Sequence, residues 1–231
     1  MRQLGSFPGG LVLNGQKNRS TQLPIRKAPL SKKLVLPLQQ HIGAAAVPIV
    51  EVGDTVLKGQ RIAKADGHVS VCLHAPSSGQ VIAIDEQAIP PPSGLSAPCI
   101  TIETDGNDQW AELDPIENYQ DASGHDLRQL IRDAGIVGLG GAGFPSFIKL
   151  NPSVHHHVDT LILNGVECEP YISCDDMLMR ERAQSILDGV VIMRYALKAK
   201  QCLIAIEDNK PEAIQAMKTA LREHKEKDNF E

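Results

Sequence analysis

The sequence predicts an α/β protein of two parts, a β domain followed by an α/β domain with a mostly parallel sheet. Three observations predict it. Between Leu34 and Ile102, short Val-, Ile- and Ala-rich runs are broken by Gly-Asp, Lys-Gly, Asp-Gly and Ser-Gly pairs, the punctuation of tight turns. After Thr160, apolar runs of strand length alternate with helical patterns, which implies parallel strands joined by helices. Between the two, residues 104–122 are polar and acidic, as a linker would be. The expected layout is therefore an irregular arm over 1–33, a β domain over 34–104, a linker over 105–122 and an α/β domain over 123–231.

Composition narrows the class. The 231 residues are 42% hydrophobic and contain no run of 18 apolar residues, so no membrane-spanning helix is predicted. A net charge of −5 argues against a nucleic-acid surface. Met1 to Ser31 carries Arg2, Lys17, Arg19, Arg26 and Lys27 but no continuous apolar stretch, so it does not read as a secretory signal. The five scattered cysteines then read as free thiols in a reducing compartment. Aromatic residues make up 3% of the chain, so the core must rest on Val, Ile, Leu and Ala.

The arm, with Gly9-Gly10, Pro24 and Pro29, reads as irregular chain that packs on the following domain or leads to a partner. In the β domain two segments look alike: Val52-Gly53-Asp54-Thr55-Val56, followed by Lys58-Gly59-Gln60, and Ala75-Pro76-Ser77-Ser78-Gly79-Gln80-Val81. This pairing resembles the biotinyl/lipoyl-type barrel-sandwich hybrid, in which a lysine at a hairpin tip carries a prosthetic group. Here the tip region is Asp66-Gly67-His68, and the nearest lysine, Lys64, belongs on a strand, so no swinging arm is expected. His68 and His74 read as surface or edge-strand residues, and Pro90 to Gly94 as a stiff loop. Ser123 then caps a helix with Asp126 at N3, Leu127, Leu130, Ile131 and Ala134 form its apolar stripe, and Gly135 ends it.

The candidate chemistry begins at Gly138-Leu139-Gly140-Gly141-Ala142-Gly143-Phe144-Pro145-Ser146-Phe147-Ile148-Lys149. A turn so rich in glycine lets the backbone approach a ligand. A helix opening at Ser146 would add N–H groups facing an anion. The alternative is a glycine turn made for packing. A second cluster, Asn164-Gly165-Val166-Glu167-Cys168-Glu169-Pro170-Tyr171, follows a predicted buried strand over Asp159 to Leu163. Polar groups at the carboxyl end of such a strand stand where open α/β sheets bind ligands. In extended geometry Glu167 and Glu169 would face one way and Cys168 the other.

Next come a helix over Asp176 to Lys198, a strand over Gln201 to Ile206 and a helix over Pro211 to Glu226. Ile186, Leu187, Val190, Val191, Tyr195 and Leu197 lie on or near one face of the first helix, and Met177 to Met179 read as core. Asn209 or Asp208 is the expected cap of the second, with Pro211 in its first turn. His155-His156-His157 reads as a solvated loop rather than a metal site, because consecutive residues cannot converge on one ion; no metal is expected.

The glycine segment and Asn164 to Glu181 together resemble the flavin- and NADH-binding region shared by the C subunit of the Rnf (Rsx) electron transport complex and the flavoprotein subunit of respiratory complex I. Gln40 to Pro48 and Val52 to Gln60 resemble the Rnf protein alone. The resemblance implies a barrel-sandwich hybrid followed by a Rossmann-like domain that binds FMN and NADH. It implies cofactor-binding roles for Gly138, Gly140, Gly141, Gly143, Phe144, Lys149 and Asn164, with Glu167 and Glu169 as the catalytic pair beside the flavin and nicotinamide rings. Leu139 and Val166 depart from the complex I pattern, which has arginine and aspartate there.

The resemblance further implies an electron-input subunit on the cytoplasmic face of a bacterial inner membrane, held by the other Rnf subunits and exchanging electrons between NADH and ferredoxin or a similar carrier. The family's [4Fe–4S] clusters need C-x-x-C-x-x-C-x-x-x-C-P runs, and this sequence has none, so they are expected in sequence beyond these residues. Two other readings stay open at this point: a scaffold built on the biotinyl-like domain, and a soluble NADH dehydrogenase or hydrogenase diaphorase subunit.

Overall fold

The computed structural model describes residues 13–90, 94–139, 141–152, 157–225 and 230. The sequence readings at Gly9-Gly10, at 91–93, at Gly140, at His155-His156 and at 226–229 lie outside these residues. The chain divides into two compact units, Ala28–Val158 with Tyr195–Ala199, and Asp159–Arg194 with Lys200–Glu231 and Met1–Lys27.

Among the described residues the first unit is built on seven strands: β1 (Lys33–Pro37), β2 (Val47–Pro48), β3 (Thr55–Val56), β4 (Arg61–Lys64), β5 (Leu73–His74), β6 (Gly79–Ala88) and β7 (Ser96–Thr104). They form two antiparallel sheets, ordered β1-β7-β6-β3 and β2-β4-β5. The two look-alike segments meet in the first sheet, where Thr55 pairs with Gln80 and Val56 with Gly79. A common core fills the space with Val56, Ile62, Val81, Ile100 and Ile102, all fully buried. These β-branched side chains alternate inward along the strands, so the hydrophobic pattern and the pleat agree. Lys64 lies exposed on β4, paired with Val47, as expected from its place in the sequence.

The residues after β7 fasten to this domain. Asp105 accepts from the Ser78 hydroxyl at 2.7 Å, and Asp108 accepts from Ser77 at 2.9 Å and from Lys58 at 2.7 Å. Lys58 also sits 5.1 Å from the centre of the Trp110 ring. Helix α1 (Gly124–Asp133) follows, and its cap is the predicted one: Ser123 Oγ accepts from the Asp126 N–H, and the Asp126 carboxylate accepts from the Ser123 N–H. Tyr195 belongs to the same unit, edge-on to Tyr119 at 5.4 Å and donating to the Gln120 carbonyl at 2.8 Å.

A single-turn helix, α2 (Ser146–Lys149), ends the described helical structure of the first unit before the chain enters the second. The second unit holds β8 (Thr160–Gly165), α3 (Cys174–Leu197, through Arg194), β9 (Gln201–Ile206) and α4 (Pro211–Glu223). The two strands are parallel and in register from Thr160–Gln201 to Gly165–Ile206, as the alternation of strands and helices predicted. Met179 and Leu187 of α3, Ala213 and Met217 of α4, and Ile204 and Ile206 of β9 share one core. Arg180 grips Asp176 one turn earlier through two hydrogen bonds of 2.7 Å. Helix α3 is interrupted at Arg182, whose φ of −133° is not helical.

Four expectations are corrected. The strand before the site loop is not buried: Ile162 and Asn164 share its solvent-facing side, and Ile162 is 61% exposed, because α3 and α4 pack on the other side of a two-stranded sheet. Of Met177 to Met179, the two methionines are buried but Leu178 is exposed. Helix α4 is not capped by Asp208 or Asn209; Lys210 occupies the cap position without a side-chain bond to the helix, and its ammonium group turns elsewhere. The described arm residues up to Lys27 group with the α/β unit, not with the β domain that follows them in sequence.

Candidate functional site

The glycine segment is a closed loop on the β-domain unit. Val137 and Pro145 form an isolated antiparallel bridge, the Gly138 N–H donates to the Phe144 carbonyl at 2.8 Å, and the Ser146 N–H donates to the Ile136 carbonyl at 3.1 Å. The loop is anchored from outside by the Ile42 N–H, which donates to the Ala142 carbonyl at 3.2 Å. Gly143, at φ +58°, leaves no room for a side chain: a Cβ there would stand 2.9 Å from the Gln40 carbonyl oxygen. Gly141, at φ +100°, faces open space. Lys149 is exposed and stands 5.7 Å from the Phe144 ring centre, beside Gly138. The helix expected here is only the single turn of α2, and its first N–H is already taken by Ile136, so its N-terminus is no anion site.

The second cluster lies in the other unit. Asn164 is exposed at the end of β8; its Oδ1 accepts from the Val166 N–H at 3.1 Å, leaving the amide Nδ2 donors without a protein partner among the described residues. The extended Glu167–Glu169 pair does not form. Glu167 has φ +50°, which turns its side chain inward, while Glu169 is exposed. The Glu167 carboxylate caps α3, accepting from the Asp175 N–H at 2.7 Å and the Asp176 N–H at 3.3 Å. A carboxylate at this end of a helix satisfies free N–H groups and meets the positive end of the dipole.

This capping explains the neighbouring chemistry. Glu167, Cys174 and Asp175 each bring one potential metal-ligand atom within 4.8 Å of the others. The Glu167 oxygens, however, already serve the helix, and the Cys174 thiol donates to Glu167 Oε1 at 3.4 Å. Burial, and then that hydrogen bond, push the Cys174 thiol above its ordinary value. Asp175 is also raised, first by burial and then by the Glu167 and Glu169 charges. All five cysteines are free, with Cys168 and Cys174 at the surface. His157, the described part of the histidine run, is exposed.

Two residues that the sequence did not single out hold the second cluster: Lys17 of the arm and Lys210 before α4. The hint at Lys210 was its position, since a cation at a helix start opposes the dipole unless it is engaged elsewhere.

The class of protein is set by the family models, which give it an FMN-binding domain. Residues 131–231 match the model of the Nuo51 FMN-binding domain, and residues 5–107 that of the RnfC barrel sandwich hybrid domain. Among curated proteins, the chain is 53% identical over 223 residues to the C subunit of the ion-translocating oxidoreductase complex of Pseudomonas aeruginosa, covering 96% of this chain and 29% of that protein. It is 50% identical over 212 residues to the protein of the same name from Rhodobacter capsulatus, covering 92% and 41%, and 44% identical over 221 residues to that of Vibrio cholerae, covering 96% and 28%. Over most of its length the chain is thus similar to C subunits of ion-translocating oxidoreductase complexes, and it carries the RnfC barrel sandwich hybrid domain and the Nuo51 FMN-binding domain. It spans under half the length of these relatives. Its fold is that of a barrel-sandwich hybrid followed by an FMN-binding α/β domain.

Proposed function

We propose that this chain is the electron-input part of an Rnf-type complex, exchanging electrons between NADH and ferredoxin or a similar carrier through FMN. The observation that carries the reading is the joining, in one chain and in this order, of a barrel-sandwich hybrid and an FMN-binding domain. In this reading the [4Fe–4S] clusters belong to sequence outside the 231 residues, and the other Rnf subunits hold the protein at the cytoplasmic face of the membrane. No helix among the described residues is long and apolar enough to cross a membrane.

In this reading each unit, taken by itself, exposes groups of the kind a flavin uses. Gly141 offers open backbone, and Lys149 offers a cation to a phosphate or to the flavin edge. Asn164 offers free amide donors to a ring edge that mixes donors and acceptors, and Glu169 an exposed carboxylate. Glu167 acts in this reading by holding the start of α3 and the loop before it. Bound flavin would supply the hydride and electron chemistry, while the chain supplies binding, orientation and charge.

The test is a flavin titration, following quenching of FMN fluorescence by the 231-residue chain and by the natural full-length protein. Saturable binding by the chain supports the reading. Binding by the full-length protein alone would place the decisive contacts in other sequence. Binding by neither rejects it.

A further inference from the structure

The loop from Val166 to Ser173 is held by two lysines that are far apart in sequence. Lys17 Nζ donates to the main-chain oxygens of Glu167 at 2.5 Å, Ile172 at 2.7 Å and Glu169 at 3.0 Å. Lys210 Nζ donates to the main-chain oxygen of Val166 at 2.5 Å, to Glu207 Oε2 at 2.9 Å and to Asn209 Oδ1 at 3.2 Å. An ammonium group has three protons and accepts nothing, so both lysines are fully used. Their side chains are 15% and 0% exposed, a burial that an ammonium group tolerates only with such a set of acceptors. The bonds also act on Glu207, whose carboxyl burial alone would raise; the hydrogen bonds from Lys210 and Asn209 outweigh burial and hold it below the usual carboxylate range.

The arm adds more. The Tyr171 N–H donates to the Gly15 carbonyl at 2.7 Å, the Ser20 hydroxyl contacts the Tyr171 carbonyl at 3.1 Å, and Ser173 Oγ donates to Ser20 Oγ at 2.8 Å. Arg19 lies 5.9 Å from the Tyr171 ring centre. The loop is therefore gripped along its length by Gly15–Ser20 on one side and by Lys210 at its root.

This grip decides which way the peptide groups face. All peptide bonds described are trans, so each N–H points opposite to the carbonyl of the same unit. The carbonyls of Val166 and Glu167 turn to the two lysines, so the N–H groups of Glu167 and Cys168 turn away from them.

We propose that Lys17, with Lys210, is a positioning residue for cofactor binding by this loop: by drawing its carbonyls to one side, the lysines present the Glu167 and Cys168 N–H groups, beside Asn164, to an electron-rich edge or anionic group of the cofactor. The proposal makes the amino-terminal arm part of the redox domain's binding machinery. It rests on the flavin reading of this segment.

The test uses the natural full-length protein with Lys17→Met, which keeps the stem and removes the donors, and Lys17→Arg, which restores charge and donors. Hydrogen exchange of the Cys168, Glu169 and Tyr171–Ser173 amides is measured without cofactor, with α4 amides as the internal standard, and FMN affinity is measured by titration. Lys17→Met is expected to speed exchange in the loop, leave α4 unchanged and weaken FMN binding by roughly tenfold or more, the usual effect of losing bonds to a charged group. Lys17→Arg is expected to recover part of both. Unchanged loop exchange would overturn the grip, and faster exchange with unchanged FMN affinity would overturn its role in cofactor binding. A wild-type protein that binds no FMN would instead reject the flavin reading itself. Should Lys17→Met open the whole unit, Ser20→Ala, which removes one hydroxyl contact, gives the same two readouts at smaller amplitude.

Discussion

Glu167 Oε1 lies 2.7 Å from the backbone nitrogen of Asp175, so the acidic residue at the centre of the site loop is the cap of the helix that follows. Removing this cap, as Glu167→Ala, is expected to cost about 1–2 kcal/mol. Glu167→Gln keeps an oxygen acceptor and should cost less. Urea unfolding of the two variants is the check. Equal stability of Glu167→Ala and wild type would mean that the cap carries no energy.

Gly143 and Gly141 separate two roles within one loop. Both have positive φ, so alanine at either is expected to cost about 1 kcal/mol or more. At Gly143 the new methyl would also press on the Gln40 carbonyl and on His41 Cα, each 2.9 Å away, adding roughly 1–3 kcal/mol. The melting temperature of Gly143→Ala should therefore fall further than that of Gly141→Ala. The reverse order would refute the packing of this loop on Gln40–Ile42.

The β-domain unit should weaken in mild acid through His74. Burial first, and then the Arg61 cation, depress its pKa, while Asp133 partly opposes them. With a folded pKa below the ordinary value of 6.5, the unfolded chain takes up the proton first. The stability is fully present above the unfolded pKa and is lost as pH falls through the folded one. His74→Gln should flatten the fall in melting temperature between about pH 7 and about pH 5. An unchanged slope would assign the acid sensitivity to other groups.

Lys64→Ala should leave NADH oxidation by the full-length protein unchanged, because Lys64 is an exposed strand residue away from the hairpin tip. Intact mass should show no biotinyl or lipoyl adduct. A large loss of activity, or an adduct on Lys64, would restore the swinging-arm reading.

Lys149→Ala and Glu169→Gln are expected to lower NADH oxidation, each by roughly tenfold or more if they contact cofactor, with melting temperatures unchanged. Both side chains are exposed, so neither change should disturb packing. Normal turnover in both would remove these residues from the site.

The order of the elements and the two segments that carry the candidate site were legible in the amino-acid order alone. Short apolar runs and glycine turns marked the β strands, Ser123 and Asp126 marked the cap of α1, and the Thr160 and Gln201 runs marked a parallel pair. These signals are local, set by side-chain period and by capping within one turn. What the polar residues of the loops do depended on how the chain folds back on itself. Glu167 turned inward because its backbone is left-handed and a helix start needed an acceptor. Lys17 reaches Glu167 across 150 positions of sequence, and Lys210 reaches Val166 across 44. Such contacts follow from where the chain returns in space and from the need of a buried ammonium group for three acceptors, and neither is written in the spacing of neighbouring residues.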